Sequence, residues 1–303
     1  MTKISAVNKK QSVEEAFGHI LRADIDLVKC WEPIAFKGND IEGVHQMRVG
    51  LRRMRSALTV FRSAMPRKQT KPLSSEMRWA AHELDHARDI DVYIDENFPQ
   101  NGAKWRRGEK KMLKVALQDR KQTHDGVKEF IKGKRFGALK KDLDLWLDSK
   151  GWRDKLTQKE RKLLKHDIKT FAAEVLEQHR SRVLKDGQDI RILDSEALHQ
   201  LRIDCKKLRY ATEFFDPLYG RSMAKFTRHL KGLQDLLGTL HDTAVFTGLQ
   251  KQLLKGHGSS QVKRFAVNLE GRRSKQAIRQ IKTLEKRWQV FAQAKLPWRT
   301  ALA

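Results

Sequence analysis

An all-α fold is what this sequence predicts, and three observations carry the prediction. Helix-forming Leu, Lys, Arg, Glu, Gln and Ala dominate a chain of 303 residues that holds only 6 Pro. Apolar residues recur at the helical period along almost its whole length. An arginine-rich stretch of the first half returns in the second, as an internal repeat.

The elements follow in chain order. Val13, Phe17, Ile20, Leu21, Asp24 and Leu27 open a first amphipathic helix. It should end near Pro33, because proline disfavours helix at the residue before it. A second helix is expected from about Ile41 to Ala64, before Pro66, and a third from Leu73 to Phe98, before Pro99. Met112 to Leu147 reads as one or two helices, broken near Gly133 or Gly137. Between Lys104 and Lys165, Trp105, Phe130, Phe136, Trp146 and Trp152 interrupt dense mixed charge, the pattern of solvated helical faces around a few buried rings. Lys159 to Val183 reads as a further helix, and Asp186, Gly187, Gln188 and Asp189 as a turn. Helices resume at Ser195 to Phe215 and Ser222 to Leu254. A loop at Gly256 to Ser260 leads into a long basic helix from Val262 to Ala294.

Charge narrows the function. Lys and Arg total 63 against 37 Asp and Glu, a net charge of +26. Such a surplus destabilises the compact chain by self-repulsion unless an anion offsets it, so nucleic acid, polyphosphate and anionic membrane surfaces are the candidate partners. Cys30 and Cys205 stand far apart, which argues against a disulfide framework or zinc ribbon and fits a reducing cytoplasm. The stretch from Met1 to Glu15 has no apolar secretory core, and no window is apolar enough to span a membrane. The oligomeric state is not legible.

The repeat is specific. Val44-His45-Gln46-Met47-Arg48-Val49 returns 154 residues later as Leu198-His199-Gln200-Leu201-Arg202-Ile203. Arg52, Arg53 and Arg55 then match Lys206, Lys207 and Arg209, Ala57 matches Ala211, and Phe61 matches Phe215. The offset divides one domain, residues 1–303, into halves 1–153 and 154–303. At about 100° per residue, His45, Arg48, Arg52 and Arg55 share one narrow arc, as do His199, Arg202, Lys206 and Arg209. Beside each lies an apolar arc: Val44, Met47, Leu51, Met54 and Leu58 in the first helix, Leu198, Leu201, Cys205 and Leu208 in the second. Like charges at this spacing repel, and the ladders read as lacking acidic partners at i+4. Their compensation should come from acids on neighbouring helices or from a bound anion. Arginine forks match phosphate oxygens bidentately, and lysine adds point charge. A second correspondence, at an offset of 153, sets Leu84–Asp89 against Leu237–Asp242 and Arg78 against Lys231.

These residues resemble the CHAD domain, the conserved histidine α-helical domain. Its hallmark, His-x-x-Arg-[Val/Ile]-x-x-[Arg/Lys]-[Arg/Lys]-x-Arg, stands here twice, from His45 to Arg55 and from His199 to Arg209, the second followed by Tyr210. The likeness runs from Val13 to Trp298, although Gly238 faces Asp85 in the repeat. The resemblance implies two helical-bundle halves related by pseudo-twofold symmetry, with the signature helices on a central basic groove or pore. It implies inorganic polyphosphate as ligand, and association with polyphosphate granules. The expected polyphosphate-binding residues are His45, Arg48, Arg52, Arg53, Arg55, Arg78, His199, Arg202, Lys206, Lys207, Arg209, Tyr210 and Lys231.

Competing patterns are weaker. His82-Glu83-Leu84-Asp85-His86 formally matches HExxH, but no third ligand follows and its repeat partner, Asp235 to Thr239, keeps none of the chemistry. Asp89 and Asp91 read as caps or partners of nearby arginines. Lys255 to Ser260 is not a P-loop. We expect a binding protein with no catalytic residues, no metal and no cofactor. Non-specific nucleic-acid binding is the first alternative. The second is an accessory role beside an enzyme of polyphosphate or triphosphate metabolism.

Overall fold

Ser12 opens the first helix of the computed structural model, which describes residues 7–98, 105–154, 156–255 and 259–299, with 240–242 and 244 as backbone only. The Ser12 hydroxyl accepts from the Glu15 backbone N–H while the Glu15 carboxylate accepts from that of Ser12, a capping box that starts α1 (Val13–Lys37). Helix α1 does not stop at Pro33. The proline forfeits one backbone bond, but Ala35 beyond it is buried, and Gly38 closes the helix in the left-handed conformation at φ 71°.

Helix α2 (Ile41–Val60) is capped by Asp40 and ends earlier than Ala64, in turns that bury Ala64 and Met65. It lies unusually close to α1. A Cβ on Gly43 would stand 2.4 Å from the Ala35 backbone nitrogen, and one on Gly50 would stand 2.6 Å from Val28 Cγ2. The third predicted helix is two, α3 (Arg67–Glu83) and α4 (Asp85–Asn97), parted at the buried Leu84. Pro99 lies outside the described residues. Gly133 parts α5 (Arg107–Lys132) from α6 (Lys134–Asp148), at one of the two expected places. The helix expected over 159–183 is also two, α7 (Gln158–Leu164) and α8 (Ile168–Asp186), because Asp167 caps a new start by accepting from the Thr170 N–H at 2.8 Å. Asp186 therefore belongs to α8, and the turn begins at Gly187.

Helix α9 (Ser195–Tyr219) runs past Phe215 and through Pro217, and α10 (Arg221–Leu254) follows directly. The closing basic helix divides into α11 (Ser260–Ile281) and α12 (Leu284–Ala292). Residues 256–258 of the expected loop lie outside the described set. Among the described residues there is no strand, and no helix is long and apolar enough to cross a membrane.

Two cores hold the helices. The larger centres on Phe17, Phe61, Phe171 and Phe215, with Phe61 5.2 Å from Phe17, 5.2 Å from Phe171 and 5.8 Å from Phe215 between ring centroids. The predicted apolar arc of α2 is wholly buried here, as are Leu201, Cys205 and Leu208 of α9, while Leu198 is half-buried. Each such large side chain stabilises the fold by about 1.5–3 kcal/mol. The smaller core joins α4 and α5 to α10 and α11 through Ile90, Tyr93, Met112, Phe246 and Leu269. That junction brings α11 alongside the signature helices.

Candidate anion-binding cleft

The two signature helices start alike. Asp40 accepts from the Glu42 N–H at 2.8 Å and Asp194 from the Ala197 N–H at 2.8 Å, caps that lie 154 positions apart like the ladders they precede. Their apolar arcs turn into the core and hold them against each other. Arg52 lies over the Tyr210 ring at 5.9 Å and Arg53 over Phe214 at 5.0 Å, while Phe61 meets Phe215.

Beside this junction opens a cleft of about 720 Å³. Arg48 and Arg52 of α2 line it together with Arg202 and Lys206 of α9, so the middle rungs of both ladders face one space. Helix α4 adds Arg88 and Asp89, and α11 adds Arg272 and Arg273.

The electrostatics are those of a crowded cationic site. Arg48 pairs with Asp85 at 2.5 Å and Arg273 with Glu96 at 2.5 Å. Arg52 Nε and Arg88 Nη1 are buried without a hydrogen-bond partner. Burial draws the Arg48 pKa below the ordinary guanidinium value, against the pull of Asp85 and Asp89. It remains protonated at neutral pH, since a guanidinium is not deprotonated in proteins. Burial likewise raises the Asp89 carboxyl, which Arg48 opposes. His45 is half-buried and does not line the cleft, yet three cleft arginines act on it. Its pKa is lowered, first by burial and then by Arg88, with Arg52 and Arg48 adding and Glu42 opposing. It is therefore neutral at pH 7 in the free protein.

Several predicted contacts fall elsewhere. Arg53 is a core residue, with Nε 2.7 Å from Asp24 and Nη1 3.0 Å from Glu213. One step along a helix turns the side chain by about 100°, which takes Arg53 away from the cleft that holds Arg52. Its repeat partner Lys207 also turns aside, to Asp204 at 2.7 Å. Tyr210 is buried and braces Arg52 and Arg209 rather than presenting its ring to a ligand. Arg209 pairs with Glu213 at 2.7 Å, so the second ladder does have an acidic partner at i+4. Arg55 lies outside the cleft lining, and the exposed Arg78 acts on it. Lys231 lines a separate cavity with Arg53 and Glu213. His199 is exposed near the start of α9 and is not part of the lining. The side chains of His241 and Asp242 lie outside the described residues.

Arg88, Arg272 and Arg273 were not among the expected ligands. Arg88 stood inside the second correspondence, and Leu269, Arg272, Arg273, Gln276 and Gln280 keep helical spacing along α11. The direction of that stripe depends on the smaller core, which periodicity alone does not specify.

The HExxH pattern does not survive folding as one helical face. The helix breaks at Leu84, between the histidines, and His86 Nε2 stands 2.9 Å from Asp119. Asp91, buried, accepts from Arg120 Nε at 2.7 Å and lies 3.1 Å from His124, a structural ion pair as expected.

Comparison with known proteins agrees with this architecture. The CHAD domain family matches residues 19–250 in sequence. The crystal structure of the CHAD domain from the plant Ricinus communis superposes with a TM-score of 0.79 at 24% identity, covering 94% of each chain. PptA from Streptomyces chartreusis superposes with a TM-score of 0.63 at 13% identity, over 92% of this chain and 100% of that one. No curated protein is found to match in sequence.

Proposed function

The chain belongs to the CHAD domain family, a family associated with polyphosphate and triphosphate binding, and from that premise we propose that it binds inorganic polyphosphate in the cleft between α2 and α9 without turning it over. One observation carries the reading. Rungs of both duplicated ladders, Arg48 and Arg52 from α2 and Arg202 and Lys206 from α9, converge on one space with Arg88 of α4 beside them. Arginine forks at this cleft can pair bidentately with phosphate oxygens, and a bound anion would offset the mutual repulsion of the clustered cations. A polyphosphate chain offers such oxygens at every unit. Of the acids that line the cleft, Glu96 is tied to Arg273 at 2.5 Å and Asp89 lies beside Arg48 and Arg88, and among the described residues neither stands next to a nucleophile or a second free carboxylate that would pair with it as acid and base. A binder of this kind would gather where polyphosphate does, at granules included.

Nucleic acid shares the electrostatic attraction but also needs rings on which bases stack. The rings at this cleft, Tyr93 and Phe246, are buried and stacked on each other at 5.3 Å. Displacement of labelled long-chain polyphosphate at fixed salt separates the readings. Unlabelled polyphosphate should compete at least tenfold better, per phosphate, than RNA or DNA, and no orthophosphate should be released over hours. Equal competition would favour the nucleic-acid reading, and phosphate release would overturn the non-catalytic one.

A further inference from the structure

We infer that a second basic cleft continues the first and holds the overhang of a long polyphosphate chain, an inference that rests on the reading of the first cleft as a polyphosphate site. Helix α11 serves both. Arg272, Arg273, Gln276 and Gln280 face the first cleft, and Gln261, Arg264, Asn268, Arg272 and Lys275 face a second of about 850 Å³. These are neighbouring stripes of one helix, and Arg272 belongs to both.

The far wall of the second cleft is the start of α5, with Arg106, Arg107 and Gly108. A Cβ on Gly108 would stand 2.6 Å from the Gln261 carbonyl oxygen, so the beginnings of α5 and α11 approach backbone to backbone and fix the width there. Arg106, Arg107, Arg264, Arg272 and Lys275 supply five cations. The lining carboxylate, Glu109, accepts from the Arg106 backbone N–H at 2.6 Å and so caps α5.

The two clefts differ in depth. Arg48 and Arg52 are half-buried and Arg202 is buried, whereas Arg107, Arg264, Arg272 and Lys275 are exposed. A short anion gains most in the first, where the cationic side chains are the more buried. A longer one leaves it across Arg272 and meets a surface trough that neutralises further phosphates. From Gln280 to Arg264 the helix spans about 24 Å, a track that a short oligophosphate has no means to fill. Chain length is thus read by whether the ligand reaches α5.

Calorimetry with tripolyphosphate and with long-chain polyphosphate, each at several salt concentrations, tests this. In the variant Arg107→Ala, Arg264→Ala, Lys275→Ala, long-chain affinity should fall at least tenfold. Its salt slope should flatten by about 2, at roughly 0.7 per lost contact as for single-stranded nucleic acid. Tripolyphosphate affinity should stay within twofold. The variant Arg52→Ala, Lys206→Ala should lose affinity for both ligands. A control that removes equal charge at α7, Lys159→Ala, Lys162→Ala, Lys165→Ala, should behave as wild type. Wild-type long-chain affinity and slope in the α5–α11 variant overturns the extension and leaves the first cleft standing. So does equal loss of both ligands in it, or a matching loss in the α7 control. Wild-type protein that binds neither ligand, or an Arg52/Lys206 variant that keeps both, removes the first cleft and the extension with it. Thermal melts confirm folding, and the three α5–α11 positions are exposed.

Discussion

Arg52 and Arg53 are chain neighbours with different duties, because one step along a helix turns a side chain by about 100°. Arg52 faces the cleft, while Arg53 sits between Asp24 and Glu213 in the core. Replacing Arg53 with Met should therefore destabilise the fold by about 3–5 kcal/mol at pH 7, since Asp24 is left buried and unpaired. Burial already raises Asp24 to about 6 against the pull of Arg53, and removing Arg53 raises it further. A group whose folded pKa is raised favours the fold below its unfolded pKa, and that contribution is lost as pH rises through the folded value. The penalty should accordingly shrink at pH 5, which denaturant melts at the two pH values will show. His45 makes the complementary case. Burial and Arg88 keep it neutral in the free protein, and an anion that offsets Arg48, Arg52 and Arg88 would raise its pKa. Binding should then take up a proton, affinity should rise as pH falls from 7.5 to 6, and His45→Gln should flatten that rise. Calorimetry in buffers of different ionisation enthalpy measures the uptake.

Helix α2 carries its ladder to the cleft because two glycines let it lie against α1. Alanine ordinarily favours a helix over glycine by about 1 kcal/mol. At Gly43 the added methyl would meet the Ala35 backbone and at Gly50 it would meet Val28, so overpacking should win. Gly43→Ala and Gly50→Ala should each cost about 1–3 kcal/mol, read from denaturant midpoints. A gain in stability at either would contradict the packing described. The apolar arcs and the middle rungs Arg48, Arg52, Arg202 and Lys206 were legible because period and repeat specify them, whereas His45, Arg55, His199 and Arg209 share the arcs without lining the cleft. The breaks at Leu84 and between α7 and α8 were not. Leu84 carries no breaking signal, and the start at Asp167 is fixed by a long-range pairing, with Val13 N–H donating to the His166 carbonyl at 3.0 Å and Ile168 N–H to that of Gln11 at 3.1 Å. Pro33 misled in the other direction, since the buried Ala35 beyond it outweighed one lost backbone bond, and α9 likewise runs through Pro217 to Tyr219.

For the whole molecule, a net charge of +26 turns ligand binding into a stability term. Long-chain polyphosphate at a hundred times its dissociation constant should add about 2.7 kcal/mol to the folding free energy, with a higher melting temperature as the readout. The pairing of α2 with α9 could be anticipated from the duplication, but the third and fourth walls could not. Arg88 and Arg272 reach the cleft through the smaller core that ties α4 to α11, a contact between residues far apart in sequence. The central claim is that both ladders hold one anion. It is tested most directly by calorimetric titration of tripolyphosphate into the wild type, Arg52→Ala, Lys206→Ala and the double variant. Each single change should weaken binding about ten- to hundredfold, as for a lost hydrogen bond to a charged group. The double variant should depart from the sum of the two, since residues touching one ligand are coupled. If the single variants stay folded and bind as wild type does, or if only one ladder matters, the account is contradicted.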